Sequence, residues 1–507
     1  MRGLVIERGV ISSRPGRIAQ LYRAVVLALV VLPAAQQSAR SDEWVQVASG
    51  GLGDPSRRQA HPLEIVAGAV YVATHDPALN EYVYRAEMLA DTIWTDVTPP
   101  WGGTHGEVTD MLSWNDDLWL STSAGELWRR DRTGRWRDVS PTWARGGNIF
   151  GLAVWLPPGE AATRLVAAGQ GVEVWSRRGD GRWDEIVVAD DLHASGFVSG
   201  ALGSLGRHLY LGVGGGSAGS AACQVWRFTS RGWDPVTRDG FGRPQLTWVN
   251  EMAVFGDWLY VGTAGHGEDT AGVFRMREGA AEDVTPCDLY GGCAGAFSRA
   301  PVRYGSLAAT TSKLFVGTRT PSLPGEAIGA DVLARAPDGS WALSNTPGFG
   351  VTGNDATTGL AAAGASLYAG TINILTGLEV WRRNAPLLEV LPTIRVDRDL
   401  LLNRERKFLR CLRRPHCPDW DRIVQPIEGI RLVFDTARYS QDDLKLILWA
   451  RQSMAGATSL LDEARQLADR ADKESNPKKA ALLRKQAAEK VTAAIDTAVE
   501  VCRKIGV

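Results

Sequence analysis

The chain has 507 residues, 56 of them Gly and 19 Trp, and a formal net charge of −1. That length exceeds one compact core and calls for two or more structural units. The near-zero charge argues against a dedicated nucleic-acid binder, which carries a basic domain.

Residues 1–39 have the order of an export signal. Arg14, Arg17 and Arg23 precede an apolar run from Ala24 to Leu32, then Pro33 and the small residues Ala34, Ala35, Ser38 and Ala39. Cleavage near Ala39 is expected, with an uncleaved anchor as the alternative. The run is shorter than the roughly 20 residues a spanning helix needs, and no later segment is apolar enough. The expectation is therefore a secreted, periplasmic or cell-surface protein, with no membrane span in its mature form.

Residues 42–384 repeat one pattern. A strand of the form Leu-Tyr-Val-Gly-Thr occurs at Val70–Thr74, Leu118–Thr122, Leu165–Gly169, Leu209–Gly212, Leu259–Thr263, Leu314–Thr318 and Leu367–Thr371. The spacings are 48, 47, 44, 50, 55 and 53, a period suited to a four-stranded propeller blade. A small-residue apolar strand precedes each copy. A Gly-rich loop follows, then a third strand such as Leu127-Trp128-Arg129, a tight turn, and a fourth strand opening on Trp, as at Trp94 and Trp136. Apolar and polar positions alternate as in half-buried antiparallel strands. The last copy lacks a fourth strand, while Trp44-Val45-Gln46-Val47 has that pattern with no first three strands before it. The N-terminal strand is thus expected to complete the last blade and hide its edges, giving an all-β seven-bladed propeller.

Leu-Tyr-Val-Gly-Thr, a variable loop, Gly-x-Glu-Val-Trp-Arg and Trp-x-x-Val together resemble the repeat of secreted bacterial seven-bladed propellers of kelch-like or sialidase-like type. The match is clearest at Gly377–Arg382 and Gly125–Arg129. The resemblance implies the fold and leaves the activity open.

Residues 385–439, with Pro392, Pro415, Pro418 and Pro426 and a basic cluster from Arg404 to Arg414, are expected to form a linker and cap. Residues 440–505 read as an antiparallel helical hairpin appended to the propeller. Ser440 and Asp443 resemble a capping box, and Ile447, Ala450, Met454, Ala457, Leu461, Ala464, Ala468 and Ala471 fall on one stripe. The hairpin either packs on the propeller or serves partner binding and self-association as a coiled coil.

Six cysteines in an exported chain allow disulfides. Cys287 with Cys293 and Cys411 with Cys417 are plausible local pairs, although six cysteines permit fifteen connectivities. Neither pair has zinc-site spacing, and no metal site is expected.

Ligands of such a fold meet the loops of one face and the channel mouth. There lie His75, Asp76, Trp101, His105, Trp143, Asn250, His266, Glu268, Asp269 and Arg319. The aromatics either stack on sugars or plug the gaps between blades. His75-Asp76 and His266–Asp269 form an acid/base or metal set only if their loops converge. No catalytic motif occurs, so no catalytic residue is assigned. The favoured expectation is a non-enzymatic binding or scaffold protein for a glycan or protein. A hydrolase or lyase acting on carbohydrate or ester is the alternative. No cofactor is required, with calcium the one left open.

Overall fold

The computed structural model describes residues 43–507 apart from 76–80, 89, 102–104, 145–146, 187–191, 193–197, 216–221, 266–270, 279, 291–302, 320–328, 352, 385–386, 413, 415–419, 437–443 and 506. The expected export signal lies outside the described residues. No helix among them is long and apolar enough to cross a membrane.

The chain is mostly β, in antiparallel four-stranded units, with a C-terminal helical region. After β1 (Glu43–Ala48) comes a unit of β2 (Gln59–Val66), β3 (Ala69–His75), β4 (Glu81–Glu87) and β5 (Thr95–Asp96). The next is β6 (Val108–Trp114), β7 (Asp117–Thr122), β8 (Leu127–Arg130) and β9 (Trp136–Asp138). It is followed by β10 (Ile149–Trp155), β11 (Arg164–Gly169), β12 (Val174–Arg177) and β13 (Trp183–Ile186). Then come β14 (Val198–Leu205), β15 (His208–Gly214), β16 (Gln224–Thr229) and β17 (Gly232–Thr237). β18 (Leu246–Phe255), β19 (Trp258–Gly265), β20 (Gly272–Arg277) and β21 (Ala280–Asp283) form another. So do β22 (Arg303–Ala309), β23 (Leu314–Arg319), β24 (Val332–Arg335) and β25 (Trp341–Leu343). The last strands, β26 (Asn354–Ala363), β27 (Ser366–Asn373) and β28 (Val380–Asn384), pair in order, and β1 pairs with β28.

Burial explains the strand chemistry. The second strands are covered on both faces, as in β7, where every residue of Asp117–Thr122 is buried. Fourth strands lie outermost, and β5 is exposed throughout. The glycine before the third strand recurs because the next inter-unit loop crosses it. A Cβ at Gly125 (φ +77°) would stand 1.9 Å from the Ala144 carbonyl oxygen, and one at Gly377 (φ +87°) 2.6 Å from the Gly51 nitrogen.

The tryptophans opening the fourth strands tie one unit to the previous one. Trp136 Nε1 donates to the Val97 carbonyl (2.6 Å), Trp341 to Val284 (2.8 Å), Trp94 to Val47 (3.0 Å) and Trp44 to Ser344 (3.0 Å). Trp136→Phe should therefore destabilise by about 1–2 kcal/mol, the loss of one partly buried hydrogen bond and some packing. Urea unfolding would show it as a lower midpoint at unchanged slope.

Single bridges link second strands to the next first strand: Ala264 with Arg303, Arg319 with Ala356, and Ile372 of β27 with Gln59 of β2. The last of these joins the two ends of the β region. Tyr368 Oη, donating to Asp91 Oδ2 at 2.9 Å, and the Arg382–Asp91 ion pair join them again.

The helical region corrects the linker expectation. Residues 385–439 hold two helices, α1 (Leu387–Leu412) and α2 (Asp421–Thr436), which pack with α3 (Leu444–Lys473) and α4 (Pro477–Lys504) around one core. Of the prolines that suggested a linker, Pro392 and Pro426 are each the sixth residue of their helix, and Pro415 and Pro418 lie outside the described residues; Pro426 removes one backbone hydrogen bond. Ile423, Ile427, Ile430 and Phe434 are buried against the α3 and α4 stripes, and that burial outweighs the lost bond. Ser440 and Asp443 lie outside the described residues. The expected break before Pro477 is present: the Asn476 side chain accepts from Lys478 N and Lys479 N. Ala365, in the turn between β26 and β27, is buried in the helical core. The helices thus lie at the end of the sheets away from the second-to-third-strand loops.

Cys223 and Cys502 are free and buried, and burial pushes their thiols up to about 12 and about 11. Neither is a ready nucleophile. Cys293 and Cys417 lie outside the described residues.

Candidate functional site

The first strands β2, β6, β10, β14, β18, β22 and β26 together line one cavity of about 270 Å³. Each carries a bulge near its start, where the register against the second strand shifts. The extra residue re-aims side chains, as bulges do. At three bulges the side chain fastens the next unit: Thr109 donates to the Ile149 carbonyl, Asn250 to Tyr304 (3.1 Å) and Thr358 to Ala60 (2.9 Å).

Just after the bulge, facing the glycine position of the second strand, stand Gly151, Ala201, Ser306 and Gly359. At the equivalent points β6 and β18 carry Asp110 and Glu251 instead. Glu64 of β2 lines the same cavity. These carboxylates do not repeat, which separates them from residues that build the units. All are half-buried and line this cavity.

Burial dominates their electrostatics. It pushes the Glu64 carboxyl up to about 8, helped by the charge of Asp110. It also raises Glu251, again with Asp110 adding to the effect and Arg303 opposing it. Asp110 is raised by burial although Leu152 N (2.7 Å) and Met111 N (2.8 Å) donate to it. The set is held near the range where carboxyl groups exchange protons at neutral pH. Among the described residues no group of three or more His, Cys, Asp or Glu is placed to hold a metal ion.

A second cavity, of about 100 Å³, is walled by Gln59, His61, Arg303, Arg319, Thr357 and Thr358 among others. It adjoins the first, since His61 and Thr358 line both. Burial and the Arg303 charge push the His61 imidazole down to about 4, so it is neutral at pH 7.

Of the residues expected from the sequence, Arg319 lies at this second cavity. Asn250 is the interunit fastener described above. His75 is engaged locally: its Nδ1 is 2.6 Å from Glu81 Oε1 and its Nε2 3.5 Å from Glu107 Oε1. Burial pushes Glu81 up to about 7, against the hydrogen bond from His75. Asp76, His266, Glu268 and Asp269 lie outside the described residues, so the two-loop set is not assembled by any described contact. The aromatics fill seams between units. Trp101 stacks on His105 (4.3 Å) and meets Trp128 edge-on; Trp143 stacks on Trp175 (5.1 Å). Phe241 on Phe274 (4.1 Å) and Phe349 on Trp381 (4.9 Å) repeat the arrangement.

Sequence reasoning missed His61, Glu64, Asp110, Glu251 and Arg303. The available signal was a charge inside a small-residue first strand, visible once the repeats are aligned on the glycine of the second strand.

No family model matches the chain, and no curated protein is significantly similar to it. Among solved structures, Raptor of Chaetomium thermophilum aligns at 13% identity and a TM-score of 0.44, over 68% of this chain and 29% of that one. A puromycin-hydrolyzing peptidase of Mycobacterium tuberculosis aligns at 12% identity and a TM-score of 0.41, over 65% of this chain and 52% of that one. The chain thus spans under a third and about half of these two proteins. Likeness at that level bears on neither activity nor partners.

Proposed function

We propose that the chain is an exported, non-enzymatic binding or scaffold protein built as a closed seven-bladed β-propeller, and that its glycan or protein ligand engages the channel mouth. The observation that carries the reading is the set of non-repeating charged side chains, which gather on the innermost strands in a cavity those strands share. Loop aromatics stack against neighbouring units instead of standing free, so polar contacts at the mouth are the better basis for recognition. Ring closure is supported by the β1–β28 and β2–β27 pairings and by the Trp44 and Trp94 bonds on either side of them. Secretion rests on the signal-like N-terminus, and the proposed disulfides are Cys287–Cys293 and Cys411–Cys417. The helical region either caps the propeller or docks a partner, a second copy included.

A glycan array and a protein-capture screen of the mature chain, each with and without calcium, test this reading. The expected result is a specific ligand whose binding falls at least tenfold in Glu251→Gln or Asp110→Asn. Silence in both screens, or binding indifferent to these substitutions, would count against it. One observation favours a second reading as a hydrolase or lyase: carboxyl groups raised toward neutrality are what general acid–base catalysis uses. Turnover of a glycan or ester that vanishes in Glu251→Gln would move the assignment there.

A further inference from the structure

Arg303 and Arg319 face each other directly across β22 and β23. Like charges at such a pair repel, and strands normally avoid the arrangement. No ion pair of either arginine occurs among the described residues. The nearest compensation is indirect: Arg319 acts on Asp355 and Glu251 on Arg303 only as charges at a distance. Burial and the Arg319 charge push the Arg303 guanidinium down, although both arginines keep part of their surface exposed to solvent. Both arginines wall the smaller cavity, and among the described residues no carboxylate lines it.

An independent feature points the same way. Thr357 lines this cavity at 1% exposure, and its buried hydroxyl has no hydrogen-bond partner among the described residues. A buried hydroxyl left unpaired is costly, and such a group commonly marks a place for a ligand or ordered water. Neutral His61 and Gln59 complete a wall rich in donors. At about 100 Å³ the space suits a single small oxyanion.

We propose that Arg303, Arg319 and Thr357 form a binding pocket for one carboxylate or phosphate group of the ligand. The two guanidinium groups supply paired donors and the charge, and the Thr357 hydroxyl supplies a further donor. The pocket rests on the reading that the ligand enters the channel, and it names the chemistry of that ligand's anchoring end. The acid set lies farther along the connected space. An anionic group held at the arginines would therefore leave the rest of the ligand directed toward Glu251.

Isothermal titration of the full chain with acetate and with inorganic phosphate, at fixed ionic strength, tests the pocket. Saturable binding of at least one anion is expected, and the stronger of the two separates a carboxylate from a phosphate ligand. Arg303→Gln and Arg319→Gln should each weaken it tenfold or more, and Thr357→Val a few-fold. Arg132→Gln, which removes one exposed surface charge elsewhere, should leave it unchanged. Arg303→Lys keeps the charge and should retain part of the affinity, which covers a failure of Arg303→Gln to fold. Two outcomes would overturn the proposal: no saturable binding of either anion, or equal binding by the parent and the Arg303 and Arg319 variants. A positive ligand screen with silent anion titrations sinks the pocket alone. Anion binding with negative screens sinks the broader function instead.

Discussion

Trp44→Ala should lower the stability of the β region by about 2–4 kcal/mol, and removal of residues 43–48 should cost more still. Trp44 packs edge-on against Phe349 at 5.1 Å and donates to the Ser344 carbonyl. Further along β1, Val47 is 4% exposed in a cluster with Ala60, Leu63, Tyr368 and Val380, and its carbonyl accepts from Trp94. One six-residue strand therefore contributes to three units: the one ending at Ser344, the one it completes through β28, and the one beginning at Gln59. Without it, β28 becomes an unpaired edge, a ready template for association with other chains. Urea unfolding followed by Trp fluorescence, together with the apparent mass by light scattering, would read both effects. A Trp44→Ala midpoint equal to that of the parent would falsify the proposed closure.

Glu251→Gln should flatten the dependence of stability on pH and stabilise the protein by about 1–2 kcal/mol near pH 9. The Glu251 carboxyl titrates higher in the folded chain than in the unfolded one, because burial and the neighbouring Asp110 disfavour its charge. Between the two values the folded state holds more protons than the unfolded state. Stability is then greatest below the unfolded carboxylate pKa and falls as pH rises toward the folded value. Glu64 and Asp110 contribute in the same direction, as does Glu81. A glutamine of similar shape carries no charge to bury, so the high-pH penalty at that position disappears. The modest magnitude allows for water in the cavity, which screens part of the effect. Denaturant unfolding near pH 5.5 and near pH 9 measures it. An unchanged slope, or a variant weaker than the parent at the higher pH, would show that these groups are not desolvated as described.

These two effects divide the molecule into a part that was legible in the sequence and a part that was not. The four-strand period was legible because each unit repeats the same local chemistry: a fully covered second strand, a glycine beneath a crossing loop, a tryptophan on the outer strand. Repetition makes such signals add, and the unpaired fourth strand at Trp44 stood out for the same reason. The stripes of α3 and α4 were equally clear from their spacing. The helices α1 and α2 were not, because prolines and arginines masked apolar positions whose value depends on a core supplied by α3 and α4.

The cavity charges show the limit most plainly. His61, Glu64, Asp110, Glu251 and Arg303 belong to four strands spread over more than 240 residues of sequence, and nothing local relates them. Taken one at a time, each is an ordinary charge in a short strand. Only the packing of first strand against first strand brings them to two adjoining cavities, where burial shifts the protonation of the acids and of His61. The sequence by itself determined the repeated unit, since strand period, turn glycines and covered faces are local properties. Which residues share a cavity, and what charge they carry there, was decided by the tertiary structure, because desolvation and Coulomb interaction depend on distance in space.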